Sequence, residues 1–173
     1  MKYLVITLAI WGTATSAALS TPPEVQANLK NASLTGAASA SILTKTIYDA
    51  ELWSEDGKPF AIKDDFALSL TYKASFKASV LAWATVFEIA RIEDTQKTNF
   101  DDLEQKLTTC FSDVKRGDRF TAMPTNIDNV TFFFNGQKSC DLSYPKLTER
   151  FFGIWLGPKT RDPKVSAKLK GVE

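Results

Sequence analysis

Thr98-Asn99-Phe100-Asp101-Asp102-Leu103 opens a block that runs through Gly117-Asp118 and Asn135-Gly136 to Phe151-Phe152-Gly153-Ile154-Trp155-Leu156-Gly157, and its punctuation decides the fold. Phe100, Leu103, Leu107, Cys110, Phe111 and Val114 recur at three- and four-residue steps, which predicts a helix over 99–116. Thr98-x-x-Asp101 resembles a capping box, and Gly117 reads as the helix stop. From Asp118 the period changes to two. Residues 119–123 and 129–134 read as strands, and Val130, Phe132 and Phe134 share one face of the second. Asn135-Gly136 then marks a tight hairpin, because both residues tolerate positive φ. Pro145 precedes a third helix closed by Gly157-Pro158, and Asp162-Pro163 opens a fourth that ends at Gly171.

Upstream, residues 39–53 read as extended chain with a possible break. A strand over 66–72 follows, with Phe66, Leu68, Leu70 and Tyr72 alternating with small or polar residues. The next segment, about 78–91, is helical in period but apolar on both faces, carrying Leu81, Val86 and Ile89 besides Val80, Trp83 and Phe87. Strands and helices in this order predict an α+β domain, an antiparallel sheet with helices on one side.

Lys2, a short apolar run over residues 3–11 and small residues at Gly12, Ala14, Ser16, Ala17 and Ala18 have the pattern of a secretory signal peptide. The run is too short for a bilayer span of roughly 20 residues. The expected division is a leader at 1–18, a flexible lead-in at 19–32 holding Pro22-Pro23, and one domain over 33–171. Without Lys2 the basic count equals the 20 acidic residues, so neither nucleic acid nor an anionic membrane surface is an expected partner. The mature chain is expected to be monomeric, without a membrane span, and periplasmic or secreted.

The two cysteines, Cys110 and Cys140, would both reach an oxidising compartment. A bridge closing a loop of ~30 residues would add about 3 kcal/mol. The alternative is two separately buried thiols. Histidine is absent, and with it the usual general base and transition-metal ligand. No metal and no cofactor are expected. Asp64-Asp65 and Asp101-Asp102 read as solvated turn and helix-start residues, because adjacent side chains diverge in either regular structure.

Five segments in order carry a resemblance: Thr46-Ile47-Tyr48-Asp49-Ala50-Glu51-Leu52-Trp53, Leu68-x-Leu70-x-Tyr72, Val114-Lys115-x-Gly117-Asp118, Asn135-Gly136, and Phe152-Gly153-Ile154-Trp155-Leu156-Gly157-Pro158. Together they resemble the chalcone isomerase-like family, and more closely its bacterial secreted branch, over about residues 33–171. The resemblance implies an open-faced sandwich of chalcone isomerase type, with a ligand cleft between sheet and helix layer. Plant members cyclise chalcones to flavanones, and non-catalytic relatives bind fatty acids. The position at which such members place a guanidinium falls on Ala40. A methyl group neither stabilises an enolate oxygen nor pairs with a carboxylate. The cleft-lining threonine of the plant enzymes falls on Tyr48, and their Thr-Met pair on Ile154-Trp155.

The expectation is therefore a non-catalytic domain binding an apolar or amphipathic small molecule, with Ala40, Tyr48, Trp83, Phe87, Ile154 and Trp155 lining the site. The competing expectation is an intramolecular lyase or isomerase with rearranged groups, such as Tyr48 and Lys45. Lys45 and Tyr48 lie three apart, which puts them on opposite faces of a regular strand unless a bulge intervenes.

Overall fold

The computed structural model describes residues 20–172. The expected leader lies outside them. Six strands, β1 (Ala32–Ile42), β2 (Lys45–Glu55), β3 (Phe66–Tyr72), β4 (Arg119–Asn126), β5 (Asn129–Phe134) and β6 (Gln137–Ser143), form one antiparallel sheet in sequence order. Helices α2 (Ala78–Glu93) and α3 (Asp101–Cys110) connect β3 to β4, and α4 (Leu147–Leu156) and α5 (Pro163–Lys170) follow β6. Their apolar residues pack with Leu52, Phe66, Leu68 and Leu70 into one core on one face of the sheet. The architecture is the expected α+β open sheet with a helix layer.

The tight turns follow the residues that favour them. Asn135 and Gly136 have φ of 49° and 85°, joining β5 to β6. At α5 the Asp162 carboxylate accepts from the backbone N–H groups of Lys164 and Val165 at 3.0 and 3.1 Å, and Gly171 takes φ 66° just past the end. The possible break in 39–53 is the β1–β2 turn at Leu43-Thr44, and β1 begins earlier than expected, at Ala32.

Helix α3 is shorter than its period predicts. It follows a 3₁₀ turn at Lys97–Phe100 and stops at Cys110, with no side-chain cap from Thr98. Lys97 instead bridges Asp101, at 3.1 Å, and Glu104. Beyond Cys110 the chain extends, so that Val114 forms a β-bridge with Phe76, and Gly117 serves a turn at φ 93°. Cys110 and Cys140 form a disulfide that ties the end of α3 to β6.

Within the lead-in expected to be flexible over 19–32 the chain forms a helix, α1 (Pro23–Asn28), on the opposite face of the sheet. Val25 and Leu29 bury against Trp53, Ala67, Met123 and Phe133. On the same helix the Glu24 carboxylate accepts from Arg119 Nε and Nη2, at 2.9 and 3.0 Å, and from the Thr121 hydroxyl at 2.7 Å. Burial alone would lift the Glu24 carboxyl, but the Arg119 and Thr121 hydrogen bonds and the Arg119 charge hold it below its ordinary value of 4.5.

A carboxyl held lower in the folded than in the unfolded chain takes up protons on unfolding. Its contribution is complete above the ordinary value of 4.5 and fades as pH falls through the lower folded value. Glu24→Gln should therefore flatten the loss of stability between 4.5 and that lower value, and Glu24→Ala should cost about 2 kcal/mol at neutral pH, since Arg119 is only partly shielded. Denaturant melts at stepped pH measure both. Gly36 lets α5 approach β1, because a Cβ there would stand 2.0 Å from the Lys168 carbonyl oxygen and 2.6 Å from that of Leu169. Gly36→Ala should cost about 1–3 kcal/mol by overpacking, read from the same melts.

Candidate functional site

Sheet and helices do not close fully on each other. Between them lies a cavity of ≈ 490 Å³. Its floor is apolar, built by Leu68 and Leu70 of β3, Ala122 of β4 and Phe132 of β5, and its roof by Val80, Leu81 and Ala84 of α2 with Ile154 and Trp155 of α4. Alternation along the strands puts these floor residues on the helix side, while Ser69 and Thr121 point to the other face and share a hydrogen bond at 2.9 Å.

Four of the six residues expected at the site line this cavity: Ala40, Tyr48, Ile154 and Trp155. Ala40, Tyr48 and Tyr72 form one row across β1, β2 and β3. Trp155 Nε1 donates to the Tyr48 hydroxyl at 2.8 Å, joining helix layer to sheet across a separation of 107 residues. Burial pushes the Tyr48 phenol up, the Trp155 bond opposes this, and the Glu88 charge adds to the rise.

Trp83 and Phe87 do not line it. They stack on each other, centroids 5.0 Å apart, on the outer side of α2, where they are 46% and 42% exposed. Because α2 is apolar around most of its circumference, periodicity does not reveal which stripe is buried. Packing selects Ala82, Val86, Ile89 and Ala90. Lys45 is exposed beside the β1–β2 turn and is not part of the lining.

Two contributions were not foreseen. Tyr72, read only as a core strand residue, lines the cavity with a hydroxyl that has no hydrogen-bond partner among the described residues. Arg161, in the loop before α5, brings a guanidinium to the cavity mouth although Ala40 supplies none. Arg161 Nε donates to Glu88 at 2.7 Å, and Arg91 Nε donates to the other Glu88 oxygen at 2.9 Å. Burial lifts the Glu88 carboxyl, but the Arg161 and Arg91 hydrogen bonds and charges overcome it and hold the group below its ordinary value. The mouth is thus an ionised Arg–Glu–Arg chain and the interior a mainly apolar space with two phenols. Nothing in the sequence near Arg161 signals Glu88, its partner 73 residues away. Among the described residues no cluster of His, Cys, Asp or Glu is arranged to hold a metal ion.

Tyr48→Phe removes the acceptor of the Trp155 N–H and nothing else from the packing. It should cost about 1 kcal/mol, the net worth of one hydrogen bond, measured by denaturant melts.

The family model described as chalcone isomerase-like matches residues 14–171. No curated protein matches the sequence. A crystal structure of a fatty-acid binding protein from Arabidopsis thaliana is similar with a TM-score of 0.62 at 11% identity, over 82% of this chain and 87% of that one. At such low identity the likeness shows a shared fold, that of the open sheet with its helix layer. The match along almost the whole described chain settles kinship: this protein belongs to the chalcone isomerase-like family.

Proposed function

We propose that the protein is a non-catalytic chalcone isomerase-like domain of the bacterial secreted branch that binds an apolar or amphipathic small molecule between sheet and helices. One observation carries this reading: a cavity of ≈ 490 Å³ with predominantly apolar walls and a few convergent polar groups. Its size and lining fall within the range of small-molecule sites. An apolar ligand burying about 200 Å² there would gain roughly 5 kcal/mol from desolvation before its own ordering costs. The structural neighbour named as a fatty-acid binding protein supports an apolar ligand class.

Arg161 is the observation that favours the competing lyase or isomerase, since a guanidinium at the cavity is what an enolate oxygen needs. Glu88 occupies it, and neither histidine nor Lys45 stands beside it as a base. The leader pattern at 1–18 and the Cys110–Cys140 disulfide support export to the periplasm or medium. Among the described residues no helix is long and apolar enough to cross a membrane.

Native mass spectrometry of protein purified from its own host should show a retained small apolar mass. Ala122→Phe, which extends a ring from the floor into the cavity, should abolish that retention while costing no more than about 3 kcal/mol of stability. Apo spectra from repeated preparations, together with turnover of a chalcone, would replace this reading with the lyase.

A further inference from the structure

Tyr48 and Tyr72 are direct cross-strand partners on β2 and β3, so their side chains leave the same face of the sheet. Their rings meet edge on, centroids 5.9 Å apart at 64°, and both line the cavity. Each phenol offers one proton as donor and lone pairs as acceptor. At Tyr48 the indole of Trp155 uses a lone pair and fixes the oxygen, leaving the proton unspent. At Tyr72 neither function is used within the described residues, although the residue is only 6% exposed. The sealed polar side-chain atoms without partners, among the described residues, are Trp53 Nε1 and Ser166 Oγ. Tyr72 Oη is not among these sealed atoms, and Tyr72 lines the cavity. Buried hydroxyls normally find partners, and leaving one unpaired is costly.

We propose that Tyr48 and Tyr72 are a two-donor anchor for a neutral carbonyl oxygen, so that the ligand is an apolar ketone, ester or aldehyde rather than a carboxylate. This rests on the binding function proposed above and adds the polar group of its ligand. The surrounding charge favours neutrality. Arg161 is the one cation lining the cavity among the described residues, and Glu88 engages it. The charge that Tyr48 experiences is the negative one of Glu88. A carboxylate beside the phenols would lose its hydration without gaining a free cation. A carbonyl oxygen has two lone pairs and takes both protons without that cost.

Benzophenone and diphenylmethane carry the same two rings and differ by a carbonyl against a methylene. Both are titrated into the full chain by displacement of the fluorophore 1-aminoanthracene. Wild type should hold benzophenone roughly tenfold more tightly, the worth of two modest hydrogen bonds. Tyr72→Phe should reduce that preference to within about twofold, leave diphenylmethane affinity unchanged, and not lower Tm, because the lost hydroxyl had no partner. Tyr48→Phe should lower the same preference in part. Equal affinities in wild type, or a preference that survives Tyr72→Phe, overturns the anchor while diphenylmethane binding upholds the cavity as a ligand site. Tighter binding of diphenylacetate than of benzophenone overturns the neutral head group. Absence of binding by the fluorophore and both probes overturns the anchor and the binding function together.

Discussion

Burial of β3 on both faces is the constraint from which the rest of the structure follows. Phe66, Leu68, Leu70 and Tyr72 face the helix layer, and Ala67 and Ser69 face the other way, yet all are buried. A strand in that position needs a cover on each side. The long helices supply one, and α1 supplies the other. The back face also carries polar groups that no apolar cover alone could accommodate: Ser69 and Thr121 bond to each other, and Glu24 accepts from Thr121 and Arg119. Helix α1 therefore carries a carboxylate to a buried place where donors are waiting, while Val25 and Leu29 fill the space around it. The ion pair fixes how this helix sits, and the apolar contacts supply most of the cohesion.

On the opposite face the cavity persists because its roof is held by fixed points rather than by collapse. Gly36 lets the carbonyls at the end of α5 lie against β1, the disulfide ties α3 to β6, and Trp155 is braced on Tyr48. Leu169, fully buried, belongs to the core that holds α5 against the sheet. Between these anchors the facing side chains include Ala84, Ala122 and Ala40, which are too short to meet across the gap. The void is thus written into side-chain volume at a few positions of an otherwise well-filled core.

The strands were largely legible in the sequence, because alternation and turn chemistry act locally: 66–72 and the Asn135-Gly136 hairpin needed no tertiary information. The failures have a common cause in forces that act at a distance. Pro22-Pro23 reads as a loop, but proline is also tolerated in a first helical turn, and the Arg119 that stabilises this one lies 95 residues on. The period of α3 continues through Phe111 and Val114, yet these enter the core from extended chain after the helix stops. Trp83 and Phe87 satisfied the helical repeat as well as the residues that are buried, because α2 is apolar all round. The site was half visible for the same reason. Ala40, Tyr48, Ile154 and Trp155 could be carried over by position, whereas Arg161 and the idle hydroxyl of Tyr72 acquire meaning only from neighbours distant in sequence.

The arrangement of charge separates two kinds of recognition that composition alone would merge. A cavity that grips an anion spends a cation inside low-dielectric surroundings, where its attraction is strongest and its desolvation most costly. Here the guanidinium stands at the mouth with 60% of its side chain exposed, already matched to a carboxylate that Arg91 also supports. That chain is nearly self-satisfied, so it defines the rim without demanding a charged guest. The interior keeps only weak, neutral donors on a rigid strand pair, one of them held in place by an indole. Under the proposed anchor a guest that fills the space without an acceptor forgoes the two phenol hydrogen bonds. Selectivity under that anchor would reside in a neutral acceptor matched to two donors rather than in charge.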